Sequence, residues 1–532
     1  MTQLASGDDR VSGRAAGGGE DGNLPRRGRA RHIFPGMHVH FIAVAGTGMG
    51  ALAGLFQAAG HRVTGSDTSF YPPMGPALRA WGVELFEGFS STHLEPAPDL
   101  VVVGNVCRPD HVEARAAIDS GLAYTHLPGA LAEHILVGCS PLVVAGTHGK
   151  TTTSSICAWL LEASEAGPGF LIGGIPGNFE RSFQLPRQGL HPSRLPLARP
   201  TGGRKVPFVI EGDEYDTAFF EKTPKFWHYR PEVAVVTSVE HDHIDIYPDE
   251  ASYHAAFAGF LGRLPATGLV VAYAGDPDVV RLVEAHASCD VAWYALDGDD
   301  THGRSPHWMA ARAEADHSGQ AFDLFAGGMS AGRGALPLSG EHNLRNAVGA
   351  LGAVVQGFGV GLDVALRGLT SFKGVARRQQ LLGRPGGIAV YDDFAHHPTA
   401  VRETLRGLKR MAPRSRLWAI YEPRTATACR RLHQDAYLTA FDAADITVLA
   451  PLGRPAIPDG ERLDLTELAA GLRARGLTVE RPPDLDTIVS LVVEQARPGD
   501  AVALLSNGAF GGIHQQLVES LRNRYGDVEV SP

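Results

Sequence analysis

Cysteine is scarce in this chain: five residues among 532, Cys107, Cys139, Cys157, Cys289 and Cys429, with no paired spacing. That excludes a disulfide framework and a cysteine-built zinc site, and it fits a reducing cytoplasm. Long apolar runs are also missing; none approaches the length that spans a bilayer. The first residues lack the apolar core of a secretion signal. A cytoplasmic protein without membrane insertion is therefore expected. Neither sign of charge dominates: 48 Lys and Arg stand against 58 Asp and Glu, a net charge of −10. This argues against nucleic acid as a partner and leaves small anionic substrates open. What remains is ordinary globular composition, 44% hydrophobic and 20% charged. The chain is too long for one core, so about two to four domains are expected.

The strongest local signal runs from Pro141 to Thr152. A short, partly β-branched apolar run meets a loop of Gly146, Thr147, His148 and Gly149. Lys150, Thr151 and Thr152 follow, and then a helical pattern. Strand, glycine loop and helix in that order make a phosphate cradle. Glycines let backbone N–H groups face phosphate oxygens, the helix N-terminus adds its dipole, Lys150 reaches the outer phosphates, and a threonine hydroxyl can hold Mg²⁺. Only two residues separate the glycines, a shorter loop than the common spacing, which marks a family-specific variant.

Three α/β units are expected in succession. The first, 37–140, opens with a strand at Val39 and continues into Gly46, Thr47, Gly48, Met49 and Gly50; a second strand ends at Ser66 and Asp67. That resembles a dinucleotide fingerprint with an acid about twenty residues on, and by itself would suggest an NAD enzyme. Asn105 closes a further strand. The second unit, 141–382, carries the phosphate loop and a Pro/Arg-rich surface insertion at about 185–205. The third, 383–532, again alternates strands and helices, so each unit should hold a parallel sheet. Residues 1–36 read as a disordered tail.

Two acid-rich clusters close strands of the second unit: Glu211 with Asp213, Glu214 and Asp216, and Glu240 with His241, Asp242, His243 and Asp245. Carboxylates and imidazoles there suit Mg²⁺ beside phosphate, and zinc is disfavoured because no cysteine accompanies the histidines. Asn343 and Asn346 open a later helix, where they could read an adenine edge or, for Asn343, merely cap. Arg377 and Arg378 could clamp a phosphate. Asp392, Asp393, His396, His397 and Pro398 end the first strand of the third unit.

Together these residues resemble the Mur ligase family of ATP-dependent amide-forming enzymes of bacterial cell-wall synthesis, from about Met37 to Arg522. Four further stretches resemble the members that act on murein tripeptides: Gly65 to Asp67 with Tyr71 to Met74; Ile172 to Phe179; Tyr421 to Arg424; and Leu505 to His514. The resemblance implies three α/β domains, the first Rossmann-like and holding a UDP-sugar, the central one P-loop ATPase-like, and the last a Rossmann-like ligase domain. It implies ATP and Mg²⁺, with UDP-N-acetylmuramate and the tripeptide L-alanyl-γ-D-glutamyl-meso-diaminopimelate as substrates joined through an acyl phosphate, in a monomer or weak homo-oligomer. The L-alanine-adding reaction is the alternative, and an NAD-dependent oxidoreductase with a P-loop module the alternative of another class.

By the resemblance Lys150 and Thr151 contact ATP phosphates and Mg²⁺, Glu211 and His243 complete the metal sites, and Asn343 and Asn346 lie near the nucleotide. Arg378 or Arg377 lies near the phosphates and Asp393 near the ribose. Gly46 to Gly50, Ser66, Asp67, Asn105, Asn178, His396, Arg424, Ser506 and Asn507 face the UDP-sugar and peptide. Relatives carry a carbamylated lysine about fifteen residues past the metal histidine; Ala258 stands there, so no carbamate bridge is expected. Ser238 stands where relatives commonly have asparagine.

Overall fold

The computed structural model describes residues 36–187, 206–244, 246–316, 318–453 and 457–526. The tail up to residue 35, most of the 185–205 insertion and Asp245 lie outside them. No helix among the described residues is long and apolar enough to cross a membrane.

Three large sheets follow one another along the described residues, with a two-stranded hairpin, Asp216–Ala218 and Glu221–Pro224, inside the central stretch of chain. The first has five parallel strands, in the order Glu84–Glu87, Arg62–Asp67, His38–Ile42, Leu100–Val103, Tyr124–His126. Its chain order reverses beside His38–Ile42, the crevice where open α/β sheets take ligands. The second has ten strands. Its middle is parallel, with Ser140–Ala145 between Val233–Val236 and Pro207–Gly212. These strands are apolar and buried along nearly their whole length, as a sheet covered on both faces requires. The third sheet has six strands, with Ala389–Asp393, Ala501–Leu505 and Leu417–Tyr421 adjacent and parallel.

The central sheet differs from the expected parallel sheet at both edges. Trp308–Asp316, Gly319–Ala326 and Met329–Leu336 extend it as an antiparallel meander, and Phe183–Gln184 pairs antiparallel with Gly169–Leu171. The Gln380–Gly383 strand is likewise antiparallel at the edge of the third sheet. Two-residue turns join the meander strands, and loops without a helix join the other two pairs, so no crossover helix enforces parallel pairing there.

The hydrophobic cores divide unevenly. One runs without a break from Val39 of the first sheet and Phe56 of the helix that follows it to Phe208 of the second sheet and Phe260 of helix Glu250–Leu261. At that seam Phe183 packs edge-on against Trp81, their ring centroids 4.8 Å apart. The third sheet instead has a separate core on each of its faces, one containing Tyr421 and Tyr437 and the other Trp418 and Phe510.

Candidate active site

Strand order builds the site. Ala145 sits in register with Val236 on one side and Gly212 on the other. The glycine loop, Glu211 and the segment from Thr237 to His243 therefore emerge together at the carboxyl edge of the sheet. Helix Lys150–Ala163 starts at Gly149, whose φ of 81° is left-handed. A Cβ there would lie 2.3 Å from Asn346 Oδ1, so both its backbone and its space require glycine.

The loop is held from beneath. Thr147 N–H donates to Ser238 O (2.9 Å), and the His148 amide to Ser238 Oγ (3.1 Å). Thr147 Oγ1 bonds Glu240 O and Tyr253 (both 2.8 Å); Thr237 Oγ1 donates to His148 O (2.5 Å). Ser238 thus supports the loop through its own hydroxyl. Thr147 serves the loop with its side chain, and Thr152 is buried in the first helical turn.

Lys150 Nζ donates to Gly146 O (2.6 Å) and to Glu214 (2.9 and 3.2 Å). Burial opposes the ammonium, but Glu214, with Asp213 and Glu211 near it, outweighs burial and raises the Lys150 pKa. Glu214 is fully buried and also lies 3.2 Å from His243 Nε2. Burial opposes its charge too, yet Lys150 and His243 hold the carboxyl down at about 2. Glu214 stood in the acidic cluster but was not singled out; its neighbour Asp213 reads the same from sequence. Glu211 accepts from Thr151 Oγ1 (2.7 Å) and from the Gly173 amide (2.6 Å). Burial, then Asp213, raises its pKa. His243 adopts a left-handed φ of 53°, a strain that clusters at functional sites.

Lys150, Thr151, Glu211 and His243 are thus brought into one connected group, with Glu214 between Lys150 and His243. A half-buried carboxylate whose pKa is raised by desolvation and then by a second acid, beside a threonine hydroxyl, is a set of hard oxygen donors lacking positive charge. That fits a divalent cation such as Mg²⁺. The loop's glycine geometry fits phosphate beside it.

The two arginines diverge. Arg377, at φ 62°, turns into the last unit and donates to Ser506 O (2.6 Å), Gly508 O (2.7 Å) and Asp392 (3.3 Å). Arg378 faces the other way, 3.4 Å from Thr151 Oγ1.

Other expected contacts are spent within the protein. Asp393 is buried and accepts from the Gln379 and Ala395 amides (2.7 and 2.8 Å), so its carboxylate organises the arginine turn and is not open to a ribose. Ser66 is fully buried and donates to Glu113 (2.7 Å), which removes its hydroxyl from direct substrate contact. Gly46, Thr47 and Gly48 are exposed, whereas Met49 and Gly50 are packed inside. Asp67 accepts from the Ala45 amide (2.8 Å), gripping the fingerprint loop. Asn105 is exposed.

Asn343 donates to Ser339 O (2.7 Å) from within the first turn of helix Glu341–Phe358, whose N-cap is Gly340; it is not the cap. Asn178 bonds the Lys373 amide and Ser371 O (2.8 and 2.9 Å). His396 Nδ1 bonds Phe394 O (3.0 Å). Ser506 donates to Glu422 (2.5 Å), with Arg424 3.6 Å from the same carboxylate, and Asn507 Oδ1 is buried without a partner. Gly173 is a further site residue; it lies in the Ile172 to Phe179 stretch, from which only Asn178 carries a side-chain signal.

Comparison with known proteins agrees with this geometry. The Mur ligase family catalytic domain matches residues 38–137, the Mur ligase middle domain 144–354, and the glutamate ligase domain of Mur ligases 377–508. The chain belongs to the Mur ligase family, and is an ATP-dependent ligase forming C–N bonds. The oxidoreductase reading falls with that membership. The chain is 35% identical over 490 residues, 92% of this chain and 99% of the relative, to the UDP-N-acetylmuramate–L-alanyl-γ-D-glutamyl-meso-2,6-diaminoheptandioate ligase of Escherichia coli. It is 32% identical to the UDP-N-acetylmuramate–L-alanine ligase of a Roseiflexus species, over 92% of this chain and all of that one. Among solved structures, a murein peptide ligase from Psychrobacter arcticus shares 34% identity at a TM-score of 0.66, covering 93% of this chain and 100% of that one. The UDP-N-acetylmuramate–alanine ligase of Thermotoga maritima superposes with a TM-score of 0.72 at 21% identity, over 92% of this chain and 99% of that one, a likeness of fold.

Proposed function

We propose that this chain joins UDP-N-acetylmuramate to L-alanyl-γ-D-glutamyl-meso-diaminopimelate with cleavage of ATP, as a cytoplasmic enzyme that recycles cell-wall peptide. The observation that carries it is the single group of Lys150, Thr151, Glu211, Glu214 and His243 around a phosphate loop, in a chain whose relatives at 34–35% identity are named for that reaction.

A carboxylate resists attack by an amine because oxide is a poor leaving group. Phosphorylating the muramate carboxylate makes the leaving group a stable phosphate, and the peptide amine then forms the amide. Lys150, freed from Glu214 as phosphate takes its place, neutralises the transferred group. Arg378, free of the Ser506, Gly508 and Asp392 contacts that occupy Arg377, steadies it from the segment that leads into the six-stranded sheet. Bound Mg²⁺ would be held by Thr151, Glu211 and His243 and would neutralise charge on the phosphates. Gly173 keeps Glu211 aimed, through its amide. In the first sheet, Gly46 to Gly48 face the nucleotide diphosphate and Asp67 its ribose. Arg424 and Asn507 take the peptide end, where an arginine suits a carboxylate, while Ser506, fully buried, spends its hydroxyl on Glu422 beside Arg424.

The test is phosphate release with ATP, Mg²⁺ and UDP-N-acetylmuramate, with products weighed by mass spectrometry. Tripeptide should yield the tripeptide adduct. Phosphate release and product with L-alanine alone would replace this reading with the L-alanine ligase.

A further inference from the structure

Beside the phosphate group, two imidazole–carboxylate clusters each bring three donor atoms within 4.8 Å of one another: His126 with Glu221 and His228, and His148 with Glu240 and His397. Tautomers separate them. His126 Nδ1 accepts the Gly129 amide at the N-terminus of helix Leu127–His134 (3.0 Å). The hydrogen of its neutral ring therefore sits on Nε2, 3.2 Å from Glu221. A ring nitrogen bearing hydrogen has no lone pair for a metal, so this cluster is a hydrogen-bonded joint.

In the second cluster His148 Nε2 lies 2.8 Å from Glu240 Oε2, but no backbone amide holds its Nδ1 as an acceptor, so the ring hydrogen can move there and leave Nε2 its lone pair. His397 has a side chain only 5% exposed; its Nδ1 lies 3.8 Å from the same Glu240 oxygen, and neither ring nitrogen has a hydrogen-bond partner. A buried imidazole with both nitrogens orphaned calls for a ligand. Burial, then the field of His148, pushes the His397 pKa down to about 3, so the ring keeps its lone pair at neutral pH. The His433 ring lies across it, centroids 4.6 Å apart, with Nε2 also buried and unpartnered.

We propose that His148, Glu240 and His397 form a binding site for a borderline divalent cation of the Zn²⁺ class, spanning the phosphate loop and the six-stranded unit. Two imidazoles and one carboxylate are a donor set that zinc accepts with a fourth position open, and a majority of nitrogen donors favours it over Mg²⁺, which takes oxygen at most of its positions. Bonds of about 2.0–2.1 Å in a tetrahedral site hold donors about 3.3 Å apart, so His397 moves toward Glu240 from 3.8 Å while His148 eases away from its 2.8 Å contact. The three ligands come from separate segments: the glycine loop, the stretch after Val233–Val236, and the N-cap of helix Pro398–Met411. Thr399 Oγ1 already makes the same bridge, donating to Glu240 (3.0 Å). A filled site fastens the loop to the last unit and slows turnover.

The experiment takes the full chain, stripped of metal and held in millimolar Mg²⁺ to fill hard-cation sites, and titrates it with Co²⁺ as a spectroscopic probe. The expected result is a visible ligand-field band that saturates at one equivalent and is displaced by Zn²⁺, with affinity falling about tenfold or more in His397→Gln and in Glu240→Gln. The band should survive His126→Gln and His243→Ala. No band, a band kept in both of the first two variants, or one lost in His243→Ala overturns the proposal. Metal-free melting curves and far-ultraviolet dichroism establish folding; should His397→Gln fail to fold, Glu240→Gln decides.

Discussion

Glu214→Gln tests the electrostatic centre of the site most directly. Glu214 is wholly buried and takes two hydrogen bonds from Lys150 Nζ, at 2.9 and 3.2 Å, and faces His243 at 3.2 Å. The substitution keeps shape and one acceptor oxygen but leaves Lys150, its side chain 11% exposed, without its countercharge. Removing one partner of a buried ion pair costs about 3–5 kcal/mol. Gly146 O at 2.6 Å still accepts from the ammonium, so the lower end, about 3 kcal/mol, applies. For a cooperative unit the size of the matched segment 144–354, that lowers the melting temperature by about 6–12 °C.

Nucleotide should reverse the loss. Triphosphate supplies Lys150 with negative charge whether or not Glu214 is present, so saturating MgATP should bring the two melting temperatures within a few degrees. The assay is differential scanning calorimetry of both proteins, with and without a non-hydrolysable ATP analogue and Mg²⁺. A nucleotide-free deficit under about 2 °C, or a full deficit that nucleotide leaves untouched, would refute the view that Lys150 passes from Glu214 to phosphate.

Arg378→Ala should lower kcat by about a hundredfold with an unchanged melting temperature, whereas Arg377→Ala, which breaks the bonds to Ser506 O and Gly508 O, should cost about 1–3 kcal/mol of stability; steady-state kinetics beside thermal melts separate them. Gly173→Ala places a Cβ 2.8 Å from Glu211 Oε2 and should raise the Mg²⁺ concentration for half-maximal phosphate release about tenfold, measured by titration at fixed ATP. Burial raises the Asp500 pKa, but bonds from Arg416, Trp418 and the Arg497 amide outweigh it and leave the value lowered. Its stabilisation is therefore full above the unfolded value of about 3.9 and lost as pH falls through the folded one, so calorimetry should show the melting gap between wild type and Asp500→Asn closing in acid.

The phosphate cradle was legible because strand, glycine turn and helix lie consecutively and each has its own residue signal. That Glu211 and His243 would flank it followed from their placement after strands, though the strand order that makes them neighbours is a tertiary fact. The antiparallel meander 308–336 has little sequence signal because its strands, though eight or nine residues long, are rich in alanine and glycine and contain no β-branched residue. Choices between neighbours were invisible for a similar reason. Arg377 and Arg378 are alike in sequence, and only the left-handed φ at Arg377 sends their side chains apart. Ser66 and Asp393 sit where ligand contacts belong in the chain, but burial turns each inward to a protein partner.

The distribution of cores bears on how the site works. The first and central sheets share one apolar core, so shifting one against the other would expose packed side chains such as Phe183 and Trp81. The six-stranded unit has its own core on each face. Its links to the central sheet include Arg410 with Glu341 (2.6 Å), Thr399 with Glu240 (3.0 Å) and Arg378 with Thr151 (3.4 Å), polar contacts that water can replace at small cost. An acyl phosphate must be shielded from water once formed, and product must then leave. A unit that is rigid within itself and joined to the phosphate loop through polar side chains meets both needs, because closing it delivers Arg378 to the loop and opening it disrupts no core.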